Sequence, residues 1–357
     1  MRKTFILASL ALVALFSCKK EETRSDIPVE AEQSVLSFTI GKALATKAET
    51  ASTTAEETMK QLHVFVFNNE STSVAYKQLE AYAYYTPNAT SQAGTVTVSR
   101  GEKKVVFVAN LPASYANGIR TLDNYNATSW EFSQNATSRD AFVMRASQDV
   151  NVNAASKDLG SIGMKRIVSR VQVKEVKNSL PVSFGAITLN GIYLHNVTRV
   201  LGNTTWAAAS YWRSGPAETR SADIATVNAL VNQSATGSIA NTASWNEPAG
   251  GYFLYGFPNN APEAGSELAT DFVTKLVVDV TVNGVTYYYP LGIRSMGENI
   301  AYLVNRIELK RLGSTDPDHY VSTATISVTV TVLDWTNGNI LGTYNNETSS
   351  GSGIFIF

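Results

Sequence analysis

Within 324–333, residues 325–332 alternate apolar and polar one by one. Ile326, Val328, Val330 and Val332 fall on one face, Thr325, Ser327, Thr329 and Thr331 on the other. A period of two belongs to a β-strand with one buried side. A helix repeats its faces about every 3.6 residues and would scatter these side chains around its circumference. The pattern recurs at 34–40, where Leu36, Phe38 and Ile40 are separated by Ser37 and Thr39. Apolar runs of strand length occupy 62–67 and 104–110, and the second is expected to be buried on both faces. Further strand patterns lie at 79–85, 95–98, 165–176, 187–200, 252–257, 275–282, 285–291 and 299–310. Between two of them, Asn283-Gly284 supplies the positive φ values of a type I′ hairpin turn. Tyrosines (16) outnumber phenylalanines (14), and Val and Thr are frequent, as suits pleated, half-buried surfaces. The expected fold is all-β, with two β-sandwich domains in tandem at 34–163 and 164–357.

The N-terminal residues read differently. Arg2 and Lys3 precede an apolar stretch at 5–16, which ends in Leu15, Phe16, Ser17 and Cys18. That stretch is too short to cross ~30 Å of hydrocarbon as a permanent helix, and it fits the core of a secretory signal. With a small residue before its cysteine, it resembles the bacterial lipoprotein signal, in which the thiol is acylated and becomes the new N-terminus. Residues 1–17 are then a signal peptide, and Cys18 is the lipidation site. The polar, charged stretch 18–33 is a solvated tether. The chain is expected to be exported and held at the outer membrane by its lipid. Cys18 is the only cysteine, so no disulfide forms within the chain. The formal charge of −1 becomes −3 without Arg2 and Lys3, and no basic cluster is present to attract nucleic acid.

Little in the chain suggests catalysis. His63, His195 and His319 stand apart from one another. No zinc pattern, nucleophile elbow or Gly-rich phosphate loop occurs. No enzyme activity, metal or cofactor is expected. Asp316-Pro317-Asp318 reads as a turn. Trp206, Trp212 and Trp245 read as core or loop anchors, with a sugar-stacking platform as the alternative. Carboxylate pairs that meet only in space keep a glycoside hydrolase as a third, weaker reading.

In the order of its features the chain resembles the fimbrillins, the type V pilin subunits of Gram-negative anaerobes. The resemblance rests on the signal at Cys18, the strand–loop–strand opening of 34–67 and the segment from Lys165 to Val171. It also rests on Tyr287-Tyr288-Tyr289-Pro290, the strand at 299–309 and the strand at 325–335 that ends in Trp335. It implies two transthyretin-like sandwiches and a lipoprotein precursor. It further implies a trypsin-like protease that cuts after the first strand, and filling of the vacated groove by the C-terminal segment of another copy. The implied partners are other copies, accessory fimbrial subunits, that protease, the outer membrane and host surface ligands. Stalk subunit is the favoured role, with anchor or tip subunit as alternatives. A monomeric glycan-binding lipoprotein is the competing class.

The residues fit such a scheme on physical grounds. Removing an edge strand exposes apolar core and unpaired backbone groups, and a donated strand covers both. Leu36, Phe38 and Ile40 are the apolar anchors that would leave, worth on the order of 5–8 kcal/mol when buried. The stretch 42–58 reads as an exposed loop, whose basic residues are Lys42 and Lys47. Lys47 lies between small residues and is the expected cut site, so that 34–47 is removed. Known family members are cut after arginine, which this loop lacks; Arg24 lies further back, in the tether. The donated segment is expected within 324–357. Its candidate side chains are Ile340, Leu341 and Tyr344, then Ile354, Phe355, Ile356 and Phe357 behind a Ser/Gly spacer.

Overall fold

The computed structural model describes residues 32–41, 54–135, 140–203, 211–212, 230–233, 235–259, 273–293, 296–322, 325–335 and 339–345. In chain order the first half carries β1 (Gln33–Gly41), a helical turn α1 (Thr54–Glu57), β2 (Leu62–Asn68), β3 (Leu79–Tyr85), β4 (Gln92–Ser99) and β5 (Gly101–Ala109). It continues with β6 (Ser129–Glu131), β7 (Met144–Val152), β8 (Ser156–Gly163) and β9 (Lys165–Arg166). One sheet has the order β3-β2-β5-β7-β9, and the other has the order β4-β1-β8. Their inward side chains meet in one apolar cluster: Leu36, Phe38 and Ile40 from β1, Val64 and Val66 from β2, Val105 and Phe107 from β5. The alternation of 34–40 therefore does what a period of two requires, and 62–67 and 105–109 are buried as their apolar runs demand, with Lys104 only half-buried at the start of the second run.

The second half carries β10 (Ser169–Val173), β11 (Glu175–Asn178), β12 (Ile187–His195), β13 (Val197–Thr198), β14 (Val200–Gly202), β15 (Tyr211–Trp212) and β16 (Asn232–Gln233). Then follow β17 (Gly237–Ile239), β18 (Ser244–Asn246), β19 (Phe253–Gly256), β20 (Thr274–Val282), β21 (Val285–Ile293), β22 (Ile300–Leu309), β23 (Ile326–Asp334) and β24 (Ile340–Asn345). Among the described residues, β18-β11-β22-β10-β19 form one sheet, extended from β22 by β23 and then β24. β16-β12-β20-β21 form the other, with β17 also paired to β12. Asn283 and Gly284 take φ values of 48° and 83° between β20 and β21, as the hairpin reading required.

The all-β class expected from the sequence holds. The two halves share packing: Phe65, Phe67, Val106 and Val108 face away from the first sandwich. They join an apolar cluster that continues through Trp130, Phe142, Val171 and Tyr255 to Trp335. β6 also pairs with β14 across the two halves.

Candidate functional site: the place of the first strand

The sequence expectation of an edge strand at 34–40 is corrected by the sheet order. β1 lies in the middle of its three-stranded sheet. It runs antiparallel to β4 from Gln33 opposite Ser99 to Ile40 opposite Gln92. On its other side it runs parallel to β8, from Val35 opposite Ser156 to Gly41 opposite Gly163. Both ladders of backbone groups on β1 are therefore engaged. Among the described residues its two neighbours do not pair with each other. The correction has a physical origin: β8 reads SKDLGSIG, too polar and too Gly-rich to announce a strand, so β1 looked unflanked.

Three side chains fix β1 in the core. Leu36 is 1%, Phe38 3% and Ile40 0% exposed. Phe38 presents its ring edge to Phe107 at 5.2 Å and to Tyr85 at 6.1 Å. Across the ladder Phe38 stands opposite Gly94. A Cβ at Gly94 would meet Phe38 Cζ at 2.6 Å and the Tyr85 hydroxyl oxygen at 2.7 Å, so the ring occupies the space a side chain would take. On the β8 side the register shifts between Ser37 and Thr39. Gly160 takes a φ of 72° there, and its N–H donates to Asp158 Oδ1 at 2.9 Å. Ser37 Oγ donates to the same carboxylate oxygen at 3.2 Å, so Asp158 ties the bulge to the strand.

The chain re-enters the fold at α1, inside the stretch expected to be an exposed loop. That expectation holds poorly at its C-terminal end, where Glu56 is 0% exposed. Its carboxylate accepts from Arg170 Nη1 at 3.0 Å and from the Tyr255 hydroxyl at 2.6 Å. Arg166 Nε donates to the Glu56 carbonyl at 3.0 Å. Both guanidinium groups lie over the Trp335 ring, at 4.5 and 4.9 Å. Burial pulls Arg166 down to about 10 against the opposing effect of Glu56, so it stays charged at neutral pH. The composition of 42–58 gave no sign of this, because a glutamate is buried only when a cation arrives from elsewhere in the chain.

The remaining candidates separate into groups. Cys18, Lys47, Trp206 and Ile354–Phe357 lie outside the described residues. Within the C-terminal region β23 is a core strand of the second half: Ile326, Val328 and Val330 are buried. Among the described residues β24 pairs with β23 alone, and Ile340 and Leu341 are 63% and 57% exposed. Tyr344 is half-buried against the core. Trp245 packs edge-on against Tyr252 at 5.3 Å, which is the anchor reading rather than a sugar platform. His195 and Lys275 converge on Asp318 Oδ1 at 3.0 and 2.9 Å. Burial raises the Asp318 carboxyl, but these two partners outweigh it and hold it at about 2.

A first strand held in the middle of a three-stranded layer of a two-sandwich protein defines the class. Comparison with known proteins adds a likeness to one family over part of the chain. Residues 34–184 match the family described as major fimbrial subunit protein (FimA), the family that the sequence resembles. Among solved structures, the chain is similar to a candidate cell adhesion protein from Bacteroides eggerthii DSM 20697. Identity is 18%, with 85% of this chain and 97% of that one covered, and the TM-score is 0.61. It is similar to a fimbrilin from Porphyromonas gingivalis W83, at 13% identity over 86% and 98% of the two chains, with a TM-score of 0.59. It is also similar to a candidate cell adhesion protein from Parabacteroides distasonis ATCC 8503, at 14% identity over 87% and 99%, with a TM-score of 0.58. At these identities the likeness is one of fold. No curated protein matches the sequence.

Proposed function

We propose that the chain is a structural subunit, of the stalk type, of a cell-surface fimbria that mediates adhesion. In this reading it is exported as a lipoprotein acylated at Cys18. A trypsin-like protease cuts after Lys47, β1 departs, and a C-terminal segment of another copy takes its place. The observation that carries this is the position of β1. It supplies Leu36, Phe38 and Ile40 to the core and bridges two strands that, among the described residues, do not pair with each other. Its loss leaves a slot with an apolar floor and unpaired backbone groups on both walls. A strand from elsewhere satisfies all of these together.

The arrangement of β24 supports the same reading. Detaching a strand whose side chains are largely exposed sacrifices little burial, whereas detaching β23 would uncover several core residues at about 1.5–3 kcal/mol each. Donation from 340–357 therefore leaves the second sandwich intact. Because donor segment and slot are different surfaces, successive copies join head to tail and the assembly stays open rather than closing into a ring.

The deciding experiment is the mature N-terminus of protein sheared from the cell surface, read by intact mass and terminal sequencing. Ala48 as the first residue is the expected result. Acylated Cys18 as the sole terminus overturns the stalk assignment. It would leave β1 in place, as in an anchor subunit or a monomeric glycan-binding lipoprotein.

A further inference from the structure

The reading that β1 leaves has a consequence at Gly94. Of the inward positions on β4, Val96 and Val98 bring side chains, while Gly94 brings none. The gap is filled by the ring of Phe38, walled by Phe107 and Tyr85. Tyr85 is itself fixed, because its hydroxyl donates to the Thr95 carbonyl at 3.0 Å. Once Phe38 is gone, the slot retains an opening shaped for a flat ring, and an aliphatic side chain there would leave part of it empty. We propose that this socket, formed by Gly94, Phe107 and Tyr85, selects the incoming strand by an aromatic side chain. Its occupant is the Phe355–Phe357 face of Ile354–Phe357 from a second copy.

This inference rests on the strand-exchange reading and adds to it the feature that is recognised. The C-terminal region offers three apolar faces. That of β23 presents Ile326, Val328, Val330 and Val332 and has no ring. Tyr344 has a ring, but two residues to either side stand Gly342 and Asn346, which replace neither Leu36 nor Ile40. Laid into the slot as an extended strand, Phe355 and Phe357 would share a face by the period of two. With Phe355 at the place of Phe38, Phe357 takes that of Ile40 and Gly353 falls at that of Leu36, so this face replaces two of the three anchors where the Tyr344 face replaces one.

The test leaves the protein sequence untouched. The full-length protein is cleaved with limiting trypsin, and loss of the residues up to Lys47 is followed by intact mass. A fluorescent synthetic peptide of residues 346–357 is then titrated by anisotropy. The expected result is binding to the cleaved protein only. With Phe355→Val and Phe357→Val in the peptide, affinity falls by about tenfold or more, while Ile354→Val and Ile356→Val change it by no more than about twofold. Equal affinity of the Phe and Val peptides overturns the socket and leaves strand exchange standing. Absence of binding to a protein that has lost β1 overturns this occupant. Retention of β1 after cleavage overturns the exchange reading itself, and the socket with it.

Discussion

Glu56 Oε2 lies 3.0 Å from Arg170 Nη1 across the junction of the two halves, with both side chains 1% exposed. The pair joins the segment that follows the expected cut site to the second half, beneath Trp335 at the end of β23. Breaking a buried pair by removing one member leaves an uncompensated charge, at about 3–5 kcal/mol. Glu56→Ala should lower unfolding stability by that amount in denaturant titration. Adding Arg170→Met should recover part of the loss, since it removes the orphaned cation. A double variant no more stable than Glu56→Ala would show that the pair does not act as a unit.

Phe38→Ala removes the ring from its socket. In the uncleaved protein it should cost about 3–5 kcal/mol, the range for a buried phenylalanine. In the cleaved protein that has released β1 it should cost nothing, because residue 38 is no longer present. Denaturant midpoints before and after cleavage check both. An equal deficit in the two forms would mean that β1 stays.

Lys47→Ala should give a subunit that keeps β1 and does not polymerise. Intact mass and electron microscopy of surface preparations read the two outcomes. Filaments of ordinary length from this variant would move the cut elsewhere.

Deleting 340–357 should yield folded monomers by light scattering, with β23 still in its sheet. Filaments of normal length after this deletion would remove the C-terminal segment from the assembly scheme.

His63 supplies a pH dependence. It is 0% exposed, its Nε2 donates to the Leu111 carbonyl at 3.0 Å, and its Nδ1 accepts from the Tyr82 hydroxyl at 2.9 Å. Burial lowers its pKa below 6.5, only partly opposed by the Leu111 carbonyl. Above that value both folded and unfolded chains are neutral at this ring, and no stability is lost. As pH falls below it, the unfolded chain takes up the proton first and stability declines. Melting temperatures from pH 7.5 to 5 should fall in the wild type and fall less in His63→Gln. Parallel slopes would assign the dependence to other groups.

How far the sequence carried depends on how each strand faces water. β1 and β23 alternate because one side of each is buried, and both were legible. β5 was legible as a continuous apolar run for the opposite reason: both its faces are covered. β7 and β8 were missed, since MRASQDVNV and SKDLGSIG carry too few apolar residues to show a period. That omission hid the most informative relationship in the site. Without β8, β1 reads as an edge strand rather than the middle of its layer. The burial of Glu56 was equally out of reach, because its partner stands 114 residues further along the chain. Leu36, Phe38 and Ile40, by contrast, were identified as core anchors from spacing alone.

The two flanks of β1 are unlike: antiparallel on the β4 side, parallel on the β8 side. Those two ladders set their donors and acceptors at different heights and slants. The slot therefore has a direction written into its hydrogen bonding, and a strand laid the other way would have to exchange one pattern for the other. Any array assembled through it inherits that sense at every joint. Under the proposed strand exchange its two extremities would be chemically distinct, one ending in an empty slot and the other in an unused segment, so lengthening and capping would be different reactions at opposite poles.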